Sequence, residues 1–144
     1  MSTTLDPAFQ EANAFGIGEP NTAYARYFSG ASFLNPLVTD PECVVGVHNV
    51  TFEPGCRNNW HVHHATAGGG QVLLCTAGSG WYQADGEEAV SLEPGSVVFV
   101  PAGVKHWHGA KAGSWFSHIA LTVPGENSST EWLEPVDDER YAAL

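Results

Sequence analysis

Turn-forming residues divide the chain from about residue 43 onward into short apolar runs. The runs are rich in Val, Ile, Phe, Thr, Trp and Tyr, and they cover residues 43–52, 71–76, 80–84, 89–92, 97–100 and 115–123. The turns between them contain Glu53-Pro54-Gly55, Ala77-Gly78, Asp85-Gly86, Glu93-Pro94-Gly95 and Pro101-Ala102-Gly103. Because no long helix fits between these runs, parallel βαβ units are excluded. The pattern predicts an all-β domain of short antiparallel strands, as a sandwich or a barrel.

The two ends of the chain differ from this strand pattern in residue composition and periodicity. Residues 1–22 are small and polar and show no sustained period, which predicts an N-terminal arm or flexible leader. The remaining residues 23–144 are predicted to form a single domain, since this length is enough for one hydrophobic core. The segment DDERYAAL, residues 137–144, is the one place with a helical signature, because acidic residues occupy its first turn.

The acidic balance of the chain restricts its partners and compartment. Sixteen Asp and Glu against five Lys and Arg give a formal charge of −11, which repels nucleic-acid phosphates and anionic membranes. We expect no nucleic-acid partner and no membrane partner, and the lack of a secretory pattern after Met1 predicts a cytoplasmic protein. Cys43, Cys56 and Cys75 are too few and too widely spaced for a disulfide framework, and we expect them to be buried thiols.

Histidines are concentrated in two short segments, WHVHH over residues 60–64 and HWHG over residues 106–109. Side chains alternate along a strand, so His61 and His63 point to the same face. His106 lies in the second segment, about forty residues later, and is the third candidate ligand. Three imidazole ligands that leave one coordination position of the metal open are typical of a catalytic site. An isolated histidine such as His48 is predicted to be a hydrogen-bonded core residue. His64 faces away from its neighbours, as a loop contact or a residue at the mouth of the site.

The two histidine segments also carry a family resemblance. GCRNNWHVHHATAGGGQVLLCTAG resembles the first cupin motif and GSVVFVPAGVKHWHGA the second, together spanning about residues 55–110. The resemblance implies an all-β cupin fold, a double-stranded β-helix or jelly-roll barrel, here with a short C-terminal helix.

The ligand set implied by the resemblance departs from the family pattern at one position. Where the first motif usually carries a glutamate, this chain has Gln71 after a longer, glycine-rich gap. Gly68, Gly69 and Gly70 allow the loop to fold back, so Gln71 can join His61, His63 and His106 as a metal ligand. A neutral amide leaves a divalent ion with more of its charge and makes it a stronger Lewis acid. We expect one divalent transition metal, most readily manganese, with iron, zinc, nickel or cobalt as alternatives.

Within the cupins, the short sequence segments between about Gly46 and Leu121 resemble those of the small manganese cupins with hydroxynitrile lyase activity and of carboxymuconolactone-decarboxylase-associated cupins. The resemblance implies that His118, on a late strand, is the general acid or base, and imidazole suits that role near neutral pH. Asn58 stands where those lyases carry Thr, and Thr122 where they carry Gln. The catalytic candidates are therefore His118, Asn58 and His108, whose spacing from His106 repeats the HVH pattern.

Three functions remain open from the sequence. The first is a metal-dependent lyase or isomerase acting on a small molecule, the second an iron-dependent dioxygenase, and the third a non-catalytic module that binds a small ligand. Most aromatic residues of the barrel are expected in core packing rather than in a substrate cage; these are Trp60, Tyr82, Trp107, Trp115 and Phe116. The resemblance also implies a homodimer, for which the apolar residues 23–40 could supply the contact.

Overall fold

The computed structural model describes residues 4–144, so the first three residues of the predicted arm lie outside the described range. The helices are α1 (Pro7–Ala12) and α2 (Asp138–Ala142), with a 3-10 turn at Ala25–Tyr27. The strands are β1 (Glu19–Pro20), β2 (Phe28–Ser29), β3 (Ser32–Pro36), β4 (Gly46–Phe52), β5 (Arg57–Asn58), β6 (His61–His64), β7 (Ala67–Gly68), β8 (Gln71–Gly78), β9 (Gly80–Ala84), β10 (Val90–Leu92), β11 (Val97–Val100), β12 (His106–Ala110), β13 (Phe116–Thr122), β14 (Gly125–Glu126) and β15 (Ser129–Trp132).

The strands form two larger antiparallel sheets and one small ribbon. The first sheet has the order β1-β3-β4-β13-β8-β11. The second has the order β10-β9-β12-β5-β2, and β6 joins β12 to β15 beside it, while β14 pairs with β7. All strand pairs in the described range are antiparallel, as the spacing of the turns predicts.

The main core is built from inward-facing residues of both sheets. The first sheet contributes Val50 and Phe52 from β4 and Phe116 from β13, and the second contributes Leu92 from β10 and Ala110 from β12. Cys56 and Cys75 are also buried, as expected, and burial raises the pKa of the Cys75 thiol to about 12. The prediction for Cys43 is wrong, because this residue lies in the exposed turn before β4.

Most of the aromatic residues that the sequence predicts for core packing are buried in packed clusters. Trp60 and Trp107 are buried with Val136 beneath the C-terminal segment, and Phe116 lies in the main core. Trp115 packs against Phe9, with 5.8 Å between the ring centroids. These contacts support the prediction that these rings serve packing.

The arm differs from a flexible leader over the described residues. The Asp6 side chain accepts a hydrogen bond from the Ala8 backbone and caps α1, and Phe9 is buried against Trp115 and Ala77. The Asn13 amide donates to Thr51 and to Ser117 at 3.3 and 3.0 Å, on the outer face of the first sheet. The arm is therefore fastened by both apolar and polar contacts.

The C-terminal helix forms where predicted, with Asp137 as its N-cap. Buried Arg57 makes an ion pair with Asp138 and donates to the Val136 carbonyl at 3.2 Å, and the Tyr141 hydroxyl donates to the Ala110 carbonyl at 2.7 Å. These contacts hold the C-terminal segment, residues 136–141, against β5 and β12 of the second sheet. No helix among residues 4–144 has the length and apolar character needed to cross a bilayer.

Candidate metal centre

Three histidines converge between the strands of the second sheet. His61 and His63 lie two residues apart on β6, and His106 on β12 is paired directly with His61. One ring nitrogen of each histidine lies within 4.8 Å of those of the other two. The structure thus brings together the three imidazoles that the sequence predicts as ligands.

Each of these rings is held through its Nδ1 atom. Nδ1 of His61 lies 2.8 Å from the Asn59 carbonyl, and Nδ1 of His106 lies 3.0 Å from the Val104 carbonyl, so both nitrogens donate their protons to backbone oxygens. Nδ1 of His63 lies 3.2 Å from the Thr130 hydroxyl. A proton held on Nδ1 leaves the Nε2 lone pair free for a metal ion.

The state of the free nitrogens fits a divalent metal. Nε2 of His106 is buried and has no hydrogen-bond partner within residues 4–144, which is costly unless an ion uses its lone pair. Burial lowers the pKa of His106 to about 4 and that of His61 well below its ordinary value. Neutral imidazoles are the form that binds metals, so this site is chemically suited to one.

Gln71 approaches the same point from the first sheet. It begins β8, and its Oε1 lies 3.3 Å from Nε2 of His63. The glycine loop permits this approach: Gly70 has φ 94°, and a Cβ atom there would lie 2.4 Å from the Val100 carbonyl oxygen. A neutral amide oxygen therefore lies next to one of the three imidazoles.

The three predicted catalytic residues lie together behind the histidine trio. Nε2 of His118 is 2.9 Å from Nδ1 of His108. The Asn58 side chain accepts from the His108 backbone N–H at 2.9 Å, and its amide nitrogen lies 3.3 Å from the His108 ring. The His108 centroid is 5.5 Å from that of His61 and 4.7 Å from that of His118, so His108 stands between the trio and His118.

Burial keeps this pair of rings uncharged. His118 is fully buried, and desolvation lowers its pKa to about 3. The pKa of His108 is also lowered well below its ordinary value, first by burial and then by the neighbouring histidines. At neutral pH both rings are therefore uncharged.

His48 and His64, the two remaining histidines, lie outside both the trio and the His108–His118 pair. The prediction of a core role for His48 is wrong, because this residue is half-buried and lines the open cavity. His64 is exposed and pairs with Glu131 at 2.8 Å, on the outer side of β6, in accord with its predicted direction away from His63.

A cavity of about 280 Å³ opens beside the trio. Its polar lining is Asn21, His48, Asn58, His61, His63, Gln71, His108, His118, Thr122 and Thr130, and its apolar or aromatic lining is Tyr24, Phe28, Leu34, Val50, Ala120 and Trp132. None of these lining residues is Lys, Arg, Asp or Glu. The cavity is therefore suited to a small uncharged molecule with an apolar part.

The sequence reasoning missed the aromatic wall of this cavity. Trp132 on β15 pairs with His61 and places its ring 4.6 Å from the imidazole, and it stacks on Tyr27 at 4.5 Å. Thr130, two residues earlier, pairs with His63. The alternation in STEW, residues 129–132, was the available signal, but only the strand pairing shows which partner it faces.

Comparisons with known proteins agree with this arrangement. The family model described as a cupin domain matches residues 48–117. An (R)-mandelonitrile lyase from Granulicella tundricola is 40% identical over 119 residues, which cover 81% of this chain and 87% of the relative. A cupin-like protein from Thermotoga maritima superposes with a TM-score of 0.79 at 35% identity, covering 91% of this chain and 96% of that one.

A more distant structure shares the fold alone. A DMSP lyase from Ruegeria pomeroyi superposes with a TM-score of 0.60 at 16% identity, over 94% of this chain and 62% of that one. The family assignment thus agrees with the histidine trio and with the two antiparallel sheets. The chain belongs to the cupin family, as a small single-domain member.

Proposed function

We propose that this protein is a metal-dependent lyase that cleaves a neutral aryl cyanohydrin into an aldehyde and hydrogen cyanide. The observation that carries the proposal is an uncharged, aromatic-walled cavity that opens onto three converging imidazoles. The 40% identity to an (R)-mandelonitrile lyase supports the choice of reaction and of substrate class. Sugar phosphates and dicarboxylates would find no permanently charged cation in the cavity, since neither Lys nor Arg lines it.

The metal would be held by His61, His63, His106 and Gln71, and manganese is the ion that we propose. When bound, a divalent ion supplies Lewis-acid chemistry, which stabilises negative charge on a substrate oxygen. The neutral Gln71 cancels none of the charge of that ion.

The His108–His118 pair is proposed to handle the hydroxyl proton. His118 is the general base, and it acts in contact with His108, with Asn58 fixing the orientation of the His108 ring. As the pair takes the hydroxyl proton, the O–H electrons form the second bond of the carbonyl group. The electrons of the bond to the nitrile carbon leave with cyanide, which takes up a proton.

The apolar wall is proposed to bind the aryl group. Trp132, Phe28 and Tyr24 line the same cavity, and aromatic pairs prefer the offset or edge-to-face contacts that such a lining permits. Exclusion of water by these rings would also limit loss of the aldehyde to side reactions.

The test is cleavage of mandelonitrile by manganese-loaded protein, followed by the absorbance of benzaldehyde. We expect turnover by the wild type, and a loss of about 10²-fold or more in kcat for His118→Ala with its metal content unchanged. Cys43→Ala, at an exposed position outside the cavity, serves as the control and should behave as the wild type. Fully loaded protein without turnover would contradict the proposal, and oxygen uptake on loading with iron would redirect it to a dioxygenase.

A further inference from the structure

One titratable side chain lines the cavity without a role in the reaction as proposed above. His48 lies on β4, where it faces inward in the same alternation as Val50 and Phe52. Its backbone pairs with Ala120 on one side and Pro36 on the other. His48 therefore belongs to the first sheet, whereas the three histidine ligands belong to strands of the second.

The register of the first sheet places His48 close to other polar groups of the cavity. Gln71, Thr122 and Gly46 form one cross-strand row, and Leu73, Ala120 and His48 form the next. A Cβ atom on Gly46 would lie 2.9 Å from the Thr122 hydroxyl oxygen and 3.7 Å from Cε1 of His48. Both groups therefore lie within 4 Å of the position that a side chain on Gly46 would occupy.

His48 also differs from His118 in its access to solvent. His118 is fully buried, whereas His48 is only half-buried, although both residues line the cavity. A group that donates a proton in each turnover must regain it, and only a group in contact with water can do so directly. The two imidazoles are therefore suited to different proton transfers in the reaction.

We propose that His48 is a second catalytic residue of the lyase reaction, the one that gives a proton to the departing cyanide. This inference rests on the proposed function. The hydroxyl proton goes to the His108–His118 pair, and the electrons of the broken carbon–carbon bond go to cyanide. Cyanide takes a proton from His48 and leaves as hydrogen cyanide. After the aldehyde has left, water that enters the cavity returns a proton to His48 and receives one from His108, which also lines the cavity, so the net products are one aldehyde and one hydrogen cyanide.

The experiment compares His48→Gln with His64→Gln, both loaded with manganese, in the cleavage of mandelonitrile. Glutamine keeps much of the size and polarity of histidine but transfers no proton at neutral pH. His64 is the matched control, since it is an exposed histidine on the outer side of β6. For His48→Gln we expect kcat to fall about 10²-fold or more, since this is the usual contribution of a general acid. The KM, the inhibition constant for benzaldehyde and the metal content should stay close to those of the wild type.

The possible results separate the two proposals. An active wild type with His48→Gln within about twofold of it would overturn the role of His48 alone. Loss of metal from His48→Gln would also overturn it, because the residue would then act through the metal site. A fully loaded wild type that cleaves no cyanohydrin would overturn both proposals. A selective loss of kcat in His48→Gln, with His64→Gln unaffected, would support both.

Discussion

His61, His63 and His106 each have one ring nitrogen occupied by a group of the protein's own chain. The backbone carbonyls of Asn59 and Val104 fix two of the rings, and a carbonyl cannot be removed by substitution. His63 alone is held by a side chain, the hydroxyl of Thr130. Such outer contacts set the orientation and basicity of metal-bound histidines, so Thr130 is the position where this support can be tested.

Thr130→Val should weaken metal binding while leaving the three histidines in place. Valine has the shape of threonine but cannot bond to Nδ1 of His63, and removal of such a partner typically costs about 10- to 100-fold in metal affinity. Competition with a chelator measures the change. Thr130→Ser keeps the hydroxyl and should retain wild-type affinity, and equal affinities in the valine and serine variants would show that this bond does not support the site.

The sequence predicts the three histidines of the trio, but it does not predict the residues that contact or surround them. The HVH spacing and the second histidine segment point to His61, His63 and His106 because strand alternation is a local rule. Thr130 and His48 escape such reasoning, because their roles depend on which distant strand pairs with theirs. The position of His108 in front of His118 likewise follows from packing between sheets.

The glycine loop before β8 is an element whose backbone serves the site. Gly70→Ala should reduce both stability and metal affinity, because φ is 94° and the new Cβ would meet the Val100 carbonyl next to Gln71. Gly95→Ala is the matched control, since φ there is 97° but no atom lies within 4 Å of an added Cβ. Unfolding in urea and metal content measure the two effects, and the account requires the loss of metal for Gly70→Ala only.

Helix α1 should contribute to the stability of the first sheet. Phe9→Ala removes a buried ring from its contact with Trp115, and truncation of a buried Phe typically costs about 3 kcal/mol or more. Phe15→Ala, in the same arm, should change the free energy of unfolding by less than about 0.5 kcal/mol, because Phe15 is 49% exposed. Equal effects in the two variants would mean that the arm does not pack as described.

The sequence predicts the strands of the central motifs well and the ends of the chain less well. The runs 71–76, 80–84 and 97–100 correspond to β8, β9 and β11, because apolar residues and turn residues alternate there at short intervals. Helix α1 has six residues, too few for a helical period to emerge, and its only start signals are the capping Asp6 and Pro7 in the first turn. The strand β15 is mostly exposed and polar, so composition does not distinguish it from a loop.

At the scale of the whole molecule, the apolar residues predicted for a dimer contact are largely used within one chain. Phe28 and Leu34 pack on the main core, and Tyr27 stacks on Trp132, while Tyr24 is about half exposed. A homodimer remains our proposal, and light scattering of the purified protein should give twice the mass of the chain. A monomer at all accessible concentrations would contradict it.

The buried histidines should make the stability of the metal-free protein depend on pH. The pKa values of His106 and His118 are lowered to about 4 and about 3 by burial, against an ordinary value of 6.5. Between the folded pKa of each group and 6.5, the unfolded chain binds more protons than the folded chain. The contribution of these groups to the free energy of unfolding is therefore fully present above about pH 6.5 and is lost as the pH is lowered. The slope should reach at most about 1.4 kcal/mol per pH unit for each group.

Urea unfolding between pH 4.5 and 7.5, about the interval in which an unfolded histidine takes up its proton, measures this dependence. His118→Asn removes one of the titrating groups, and its stability should fall less steeply with acid than that of the wild type. His64→Asn, at an exposed position, should retain the wild-type slope. A wild-type stability that rises as the pH is lowered through this interval would contradict the neutral state of the buried rings.

We propose that the histidine trio and Gln71 hold one divalent metal. Elemental mass spectrometry of untagged protein, purified without added metal or chelator, measures this occupancy. His106→Ala is the comparison, because Nε2 of His106 has no hydrogen-bond partner among residues 4–144. We predict about one transition-metal ion per wild-type chain, with manganese foremost, and almost none in His106→Ala. A wild-type protein that carries no metal and takes up none stoichiometrically on reloading would contradict the account.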